Sequence, residues 1–491
     1  MNNSVPSTDN STVWIVVGYL VFVTLIGMAL SRRNRSSSDW ASASGGMGLW
    51  LVAAGVAGTR IGGVGTYGVA SDVMKTGLWN LWYGINTFLA FALVGFFFII
   101  PYRRLNLTTV GEIFTRRFNS RRARVLTSLC VQSEYFIISV IEPYIIGLIL
   151  SGILGIPLGY GILIGAFIII SYTAMSGIQG TSYTNIIHCS VIICSLATIA
   201  YLAMGNLGGW DGVVSKTNMA LDTANIDRDS WWSLIGLGWL PVIAMFFSAT
   251  IHTPGASIYV NFASSAKNEK ILIPAFLLAG LIGAAMPILS GIIGIEAVAQ
   301  YGAETDLKGF TSITRLATDT GPIMGGIAMA AILAALISSA GPILLGGSTM
   351  FVNDWLPKSS ELSSGEKLRA YRVVSIVYGL VAAAIAYLAN FSSIMGVLLL
   401  AFAMVVPPAI AITFVIYWKR TTEQGVYWGM ATGYLGGLLA WAANTWFGFG
   451  PSPAYSTTLL PLLIVPLVSF LTPQESTLAK AFYQQLKPAR Q

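Results

Sequence analysis

The sequence predicts an all-α integral membrane protein with about 13 transmembrane helices, and three observations carry that reading. Only 10% of the 491 residues are charged while 55% are hydrophobic, whereas a soluble chain carries about a quarter Asp, Glu, Lys and Arg. Apolar stretches of about 20 residues, the length that crosses a bilayer, recur from end to end. Charges or turn residues bound each of them. The same figures exclude a disordered chain, a secreted disulfide scaffold and a soluble multidomain enzyme.

The stretches run over 13–31, 48–74, 79–102, 124–153, 157–176, 181–204, 232–252, 271–296, 322–350, 371–390, 394–418, 425–445 and 455–472. The first follows a polar start without Lys or Arg and precedes Arg32 and Arg33. That is the charge order of an uncleaved anchor with an outer N-terminus. Thirteen spans then leave the C-terminus in the cytoplasm. In this orientation 21 of the 27 Lys and Arg fall on inner segments, from Arg32, Arg33 and Arg35 to Arg490. Five fall outside (Lys75, Lys216, Arg228, Lys308 and Arg315), and Arg60 lies within a span. This is the positive-inside pattern of a multi-pass cell-membrane protein. It accounts for the net charge of +7 with the lipid bilayer, and not nucleic acid, as the partner.

The longest polar segments, 103–123 inside and 205–231 and 297–321 outside, hold no large soluble domain, and the tail 473–491 is short. No P-loop is present, which argues against ATP-driven transport. His188, Cys189 and Cys194 are too few for a metal site and read as core residues of a helix. No nucleophile–base arrangement suggests an enzyme.

Polar groups inside the spans carry the functional reading. The second stretch, AGVAGTRIGGVGTYG, places Gly55, Gly58, Gly62, Gly63 and Gly65 near its middle. Each Gly weakens a helix by about 1 kcal/mol, so this span is expected either to break or to pack closely on a neighbour. The seventh, WWSLIGLGWLPVIAMFFSATIHTPGAS, carries Pro241 in its body and Thr253-Pro254-Gly255 at its inner end. Interruptions at matching places in two halves, here spans two to six and seven to eleven, point to an inverted-repeat transporter with its site between them. In the ninth, AAILAALISSAGPILLGG, Ala335, Ser338 and Ser339 share one helix face. Pro342 has no N–H, so the Ser338 carbonyl loses its helical partner. These oxygens suit a small hard cation, or the hydroxyls bond back to their own helix.

These residues resemble the sodium:solute symporter family, which includes proline, pantothenate, sialic acid and sodium–glucose symporters. The likeness covers nearly the whole chain. It rests on the thirteen spans, the Gly-rich second span, VGEIFTRRFNSRRARVL (110–126), SGIQGTSYTNIIH (176–188) and AALISSAG (334–341). It implies a leucine-transporter-type five-plus-five inverted repeat, 48–204 and 232–418. One extra helix (13–31) precedes the repeat, and two C-terminal helices (425–472) and a cytoplasmic tail (473–491) follow it. It also implies a sodium site with backbone carbonyls from Gly58, Ile61 and Ala335 and hydroxyls from Ser338 and Ser339. Members that bind a further sodium carry Asp where this chain has Asn185, whose neutral amide offers no compensating charge.

Arg60 departs most from the family. It lies between two of the implied ligands, where an unpaired charge costs about 3 kcal/mol or more. Three roles are open to it: an ion pair with Glu134 or Glu142, a contact to an anionic solute, or a fixed charge in place of the cation. Thr59, Arg60, Gln132, Glu134, Glu142, Phe247 and Phe402 are the candidate pocket residues. Trp79, Trp82 and Tyr83 read as interface anchors. The expected activity is inward sodium-coupled symport of a small organic solute, such as an amino or organic acid, by alternating access. Sodium is the coupling ion, with no organic cofactor and no partner chain. A solute receptor acting through a separate partner, or a sodium-independent transporter using Arg60, are the alternatives; counterflow in reconstituted vesicles separates transport from reception.

Overall fold

The computed structural model describes residues 10–31, 36–303, 309–356, 358–389, 391, 394–448, 450–474 and 477–487. Arg32, Arg33, Arg35, Lys308 and Arg490 of the charge count lie outside these residues. Helices follow one another throughout: α1 (Asn10–Ser31), α2 (Leu49–Gly58), α3 (Trp82–Leu93), α4 (Arg121–Leu154), α5 (Leu158–Leu207), α6 (Trp239–Phe246), α7 (Leu272–Tyr301), α8 (Pro322–Met350), α9 (Ser364–Leu388), α10 (Ile394–Tyr417), α11 (Glu423–Phe447) and α12 (Pro453–Leu471). Shorter helical pieces join them. Among the described residues, eight helical segments are long and apolar enough to cross a bilayer, as in a multi-pass membrane protein.

The helices depart from the hydropathy pattern at three places. The second and seventh stretches are interrupted. The fifth and sixth form one run, α5, of 50 residues. At 1.5 Å per residue such a run reaches about 75 Å, more than twice a bilayer core of about 30 Å. Gly177 resolves the excess, since its φ of 60° and ψ of −175° turn the chain within the SGIQG sequence. A Cβ there would be strained, so glycine divides the run into two helices.

Helix ends are set by local chemistry. The Ser120 side chain accepts from Ala123 N at the start of α4, and the Thr422 side chain accepts from Gly425 N at the start of α11. Asn106 and Asn119 close the helices before them in the left-handed region, with φ of 47° and 54°. The polar segments are structured as well: helices Glu112–Phe118, Gly209–Thr223 and Gly309–Thr320 lie within them, and Thr477–Gln485 lies in the tail.

One helix organises the bundle. In the segment Pro322–Trp355, which contains α8, 94% of the apolar window is buried, against 33% in α9 and α12. α8 therefore faces protein on all sides, and its hydroxyls must find partners inside. At one face of the bundle, Arg124 pairs with Asp354 at 2.7 Å and Glu112 at 3.3 Å, and Arg104 pairs with Glu269 at 3.0 Å. Thr109 Oγ1 also donates to Asp354, at 2.8 Å. Arg104 in turn donates to the Leu486 carbonyl at 2.7 Å and holds the tail there.

Candidate cation and solute site

The second stretch breaks at its glycines. α2 ends at Gly58, and the regular helical ladder gives way to tighter turns, with Thr59 N on Val56 O at 3.2 Å and Arg60 N on Ala57 O at 3.0 Å. Helix resumes after Gly62 as the π-helical turn Val64–Gly68 and then Val69–Thr76. The seventh stretch behaves alike: α6 passes into the π-helical turn Phe247–Ile251, the 3₁₀ turn Thr253–Gly255 and then Ile258–Ser265. Both expected interruptions are present.

The first break lies against the middle of α8. Ser338 Oγ donates to the Ala335 carbonyl at 2.7 Å, while Ser339 Oγ lies 3.4 Å from that carbonyl and 3.2 Å from that of Leu336. Three of the five expected sodium-ligating residues thus form one oxygen cluster, buried in the bundle. The Ser338 carbonyl, freed by Pro342, accepts from Asn185 Nδ2 at 3.3 Å. That same amide packs on Gly58 so closely that a methyl there would collide with it. On the other side, Glu142 Oε1 accepts from Ser339 Oγ at 2.8 Å and fills the space that a side chain at Gly62 would take. Ile61, the remaining expected ligand, is buried within the break.

Arg60 has a different partner from the one expected. No ion pair joins it to an acid among the described residues. Its Nη1 donates to His252 Nε2 at 3.1 Å, and its Nη2 donates to the Ala249 carbonyl. An arginine has no acceptor, so the imidazole must supply the lone pair. The guanidinium carbon lies 4.6 Å from the Phe402 ring centre and 5.8 Å from that of Tyr83. His252 stacks on Phe402 at 4.3 Å with an interplanar angle of 10°. A carbonyl, a ring nitrogen and two aromatic faces stabilise the charge without a carboxylate. Arg60 thereby connects the two interrupted stretches.

Thr59, Arg60, Gly62, Tyr83, Glu142, Ser339 and Phe402 share a cavity of about 20 Å³, room for one water or one small ion. Tyr83 therefore belongs to the pocket and not to the membrane interface. Thr59 Oγ1 donates to the Val56 carbonyl at 2.6 Å and lies 3.3 Å from Tyr259 Oη. Three other expected pocket residues, Gln132, Phe247 and Glu134, do not line the cavity. Gln132 Nε2 donates to the Gly347 carbonyl at 2.8 Å and its Oε1 accepts from Tyr378 at 2.9 Å, so it ties α4 to α8 and α9. Phe247 packs against Tyr455, 5.9 Å between ring centres, beside a separate apolar groove. Glu134 is buried, does not line the cavity, and its Oε2 has no partner. A larger cavity of about 1020 Å³ is lined by Trp79, Leu240, Ser248, Trp441, Asn444 and Tyr455, among others. His188 bonds Tyr19 through Nδ1, Cys189 is buried and Cys194 is exposed. Sequence reasoning passed over His252 and Ala249; that His252 is one of two histidines at an interrupted span was the available signal.

A helical membrane bundle in which one interrupted helix lines a small buried cavity and is joined through Arg60 to a second interrupted helix has the architecture of a secondary transporter. The chain belongs to the sodium:solute symporter family, whose profile matches residues 40–433. It is 23% identical over 451 residues to a sodium/proline symporter of Staphylococcus aureus, covering 87% of this chain and 85% of that one. Its fold is similar to that of a Na⁺-coupled sialic acid symporter in a substrate-bound outward-open state. That likeness has a TM-score of 0.80 at 21% identity and covers 95% of this chain and 99% of that one. A nucleobase-cation-symport-1 family transporter, closed around bromovinylhydantoin, gives 0.60 at 15% identity, with 92% and 99% covered. The protein is a transporter and not an enzyme.

Proposed function

We propose that the chain carries a small organic acid or amino acid inward together with sodium, by alternating access between two five-helix repeats, 48–204 and 232–418. The N-terminus is outside and the C-terminus cytoplasmic, with thirteen crossings in all. Sodium sits on the carbonyls of Gly58, Ile61 and Ala335 and the hydroxyls of Ser338 and Ser339. The observation that carries this reading is the oxygen cluster of Ala335, Ser338 and Ser339 lying against the interrupted helix at Gly58–Gly62. Hydroxyl and carbonyl oxygens suit sodium, and an interrupted helix supplies carbonyls that a continuous one keeps for itself.

Arg60 supports a solute with a carboxylate. It lines the cavity, and its Nε has no hydrogen-bond partner. A guanidinium fork matches a carboxylate in two parallel bonds. Proline transport by one relative and sialic acid transport by one structural neighbour fit the same solute class. No covalent chemistry is needed. One sodium entering down an inside-negative potential of about 100 mV contributes about 2.3 kcal/mol, enough for about fifty-fold accumulation of a neutral solute.

The test is uptake of labelled proline, sialic acid and short organic acids into vesicles holding the purified protein. Accumulation of a solute only under an inward sodium gradient is the expected result. Equal accumulation of that solute with and without the gradient would sink sodium coupling.

A further inference from the structure

We infer that Glu142 supplies the negative charge of the cation site, accepting the Ser339 hydroxyl's hydrogen bond on one carboxylate oxygen and leaving the other for sodium. This rests on the sodium site proposed above and adds to it a charged ligand from a third helix, α4.

Four observations lead there. Glu142 is 3% exposed, and its Oε2 accepts no hydrogen bond although buried polar oxygens normally do. Its Oε1 accepts from Ser339 Oγ, so the hydroxyl's proton points at the carboxylate and its lone pairs are left for a cation. Gly62 makes the room, because any side chain at that position would strike Oε1. Finally, Glu142 lines a cavity of about 20 Å³, a space of ionic size, together with Thr59, Gly62 and Ser339, the last being the one of the five proposed sodium ligands that reaches it. Arg60 also lines that cavity, with one Nη1 proton on His252 and one Nη2 proton on the Ala249 carbonyl.

A buried carboxylate with one free oxygen is costly unless a cation meets it. Five neutral oxygens around sodium leave one positive charge in the bundle beside Arg60. With Glu142 included, the sodium site is neutral when filled, and the fixed charge of Arg60 faces no second one. Selectivity follows as well: a carboxylate and a hydroxyl held by Gly62 and Ser339 set the size of ion accepted.

The experiment is thermal melting of the purified full-length chain in detergent, with sodium chloride titrated against choline chloride at constant ionic strength. A site filled only in the folded state raises the melting temperature with the logarithm of sodium concentration. Glu142→Gln keeps the shape and the Ser339 contact but removes the charge. With the uncompensated buried charge gone, it is expected to melt at or above the wild type in choline and to need about tenfold or more sodium for the same rise. A Glu142→Gln curve that overlays the wild type would overturn the inference. Ser338→Ala, which does not touch Glu142, separates the two proposals. If Ser338→Ala shifts the curve and Glu142→Gln does not, the sodium site stands and the role of Glu142 falls. If the wild type gains nothing from sodium over choline, both fall. Should Glu142→Gln fail to fold, Glu142→Asp draws the charge back by one methylene, and a wild-type sodium curve in that variant would equally defeat the assignment.

Discussion

Asn185 donates its side-chain amide to the carbonyl oxygen of Ser338 at 3.3 Å, the carbonyl that Pro342 deprives of its helical donor. The same amide presses on Gly58. One neutral side chain therefore connects the interrupted helix to α8 on the side of the oxygen cluster opposite Glu142.

Replacing that amide by a carboxylate gives the first prediction. Asn185→Asp removes the donor to Ser338 O and sets two oxygens against each other. In choline the melting temperature should fall, by about 1–3 kcal/mol of stability. In sodium the new charge should recover the loss, so the sodium-dependent rise exceeds that of the wild type. A variant with a reduced sodium response would contradict the placement of the cation beside Gly58 and Ser338.

Arg60→Ala gives the second. Because the guanidinium rests on a carbonyl, an imidazole and aromatic faces, its removal breaks no ion pair among the described residues. The expected cost is about 1–3 kcal/mol, and neither Glu134→Gln nor Glu142→Gln should restore it. Affinity for a carboxylate solute should collapse. Melting curves of the single and double variants decide this, and recovery by either Gln change would bring back the ion pair.

The third concerns the hydroxyls. Ser338→Ala and Ser339→Ala each leave the Ala335 carbonyl in place but remove an oxygen from the cluster. Loss of a contact to a charged partner, about 1.5–3 kcal/mol, corresponds to more than tenfold in the sodium needed for half-maximal uptake. Unchanged sodium dependence in both, with normal expression, would reduce these serines to bonds within their own helix.

Arg124→Ala tests the ion-paired face. Asp354 is 4% exposed and its Oδ2 already lacks a partner, so the variant leaves a buried carboxylate without its cation. A loss of about 3–5 kcal/mol is expected, and Asp354→Asn in the same chain should return most of it. If the double variant melts no higher than the single one, the pair contributes little.

Much of this was legible before any coordinates, for physical reasons. Hydropathy marks spans because a bilayer tolerates little else, and the interrupted stretches announced themselves through glycine in one and Thr253-Pro254-Gly255 in the other, while Pro241 lies in the first turn of α6 and marks no break. The orphaned Ser338 carbonyl was visible too, since Pro342 acts on a neighbour four residues away. Its acceptance of Asn185, 153 positions distant, was not, because local chemistry names the vacancy and only packing fills it. Arg60 misled for a related reason. Opposite charge is the obvious partner to seek in a sequence, whereas a carbonyl is present at every residue and carries no signal. Gln132 and Phe247 were polar or aromatic in the right helices, but side-chain direction, which decides the pocket, is not written in residue type.

The larger cavity has a practical consequence. Two indole rings, Trp79 and Trp441, line it, and Trp441 is 40% exposed. Indole emission responds to the polarity around it, so the protein carries an optical reporter at the cavity wall without any added dye. Drying of that space would shift the emission to shorter wavelength, and replacing both rings by Phe would silence the shift while the remaining tryptophans supply a constant background. Occupancy could then be followed in real time, in a cuvette, before the solute has a name.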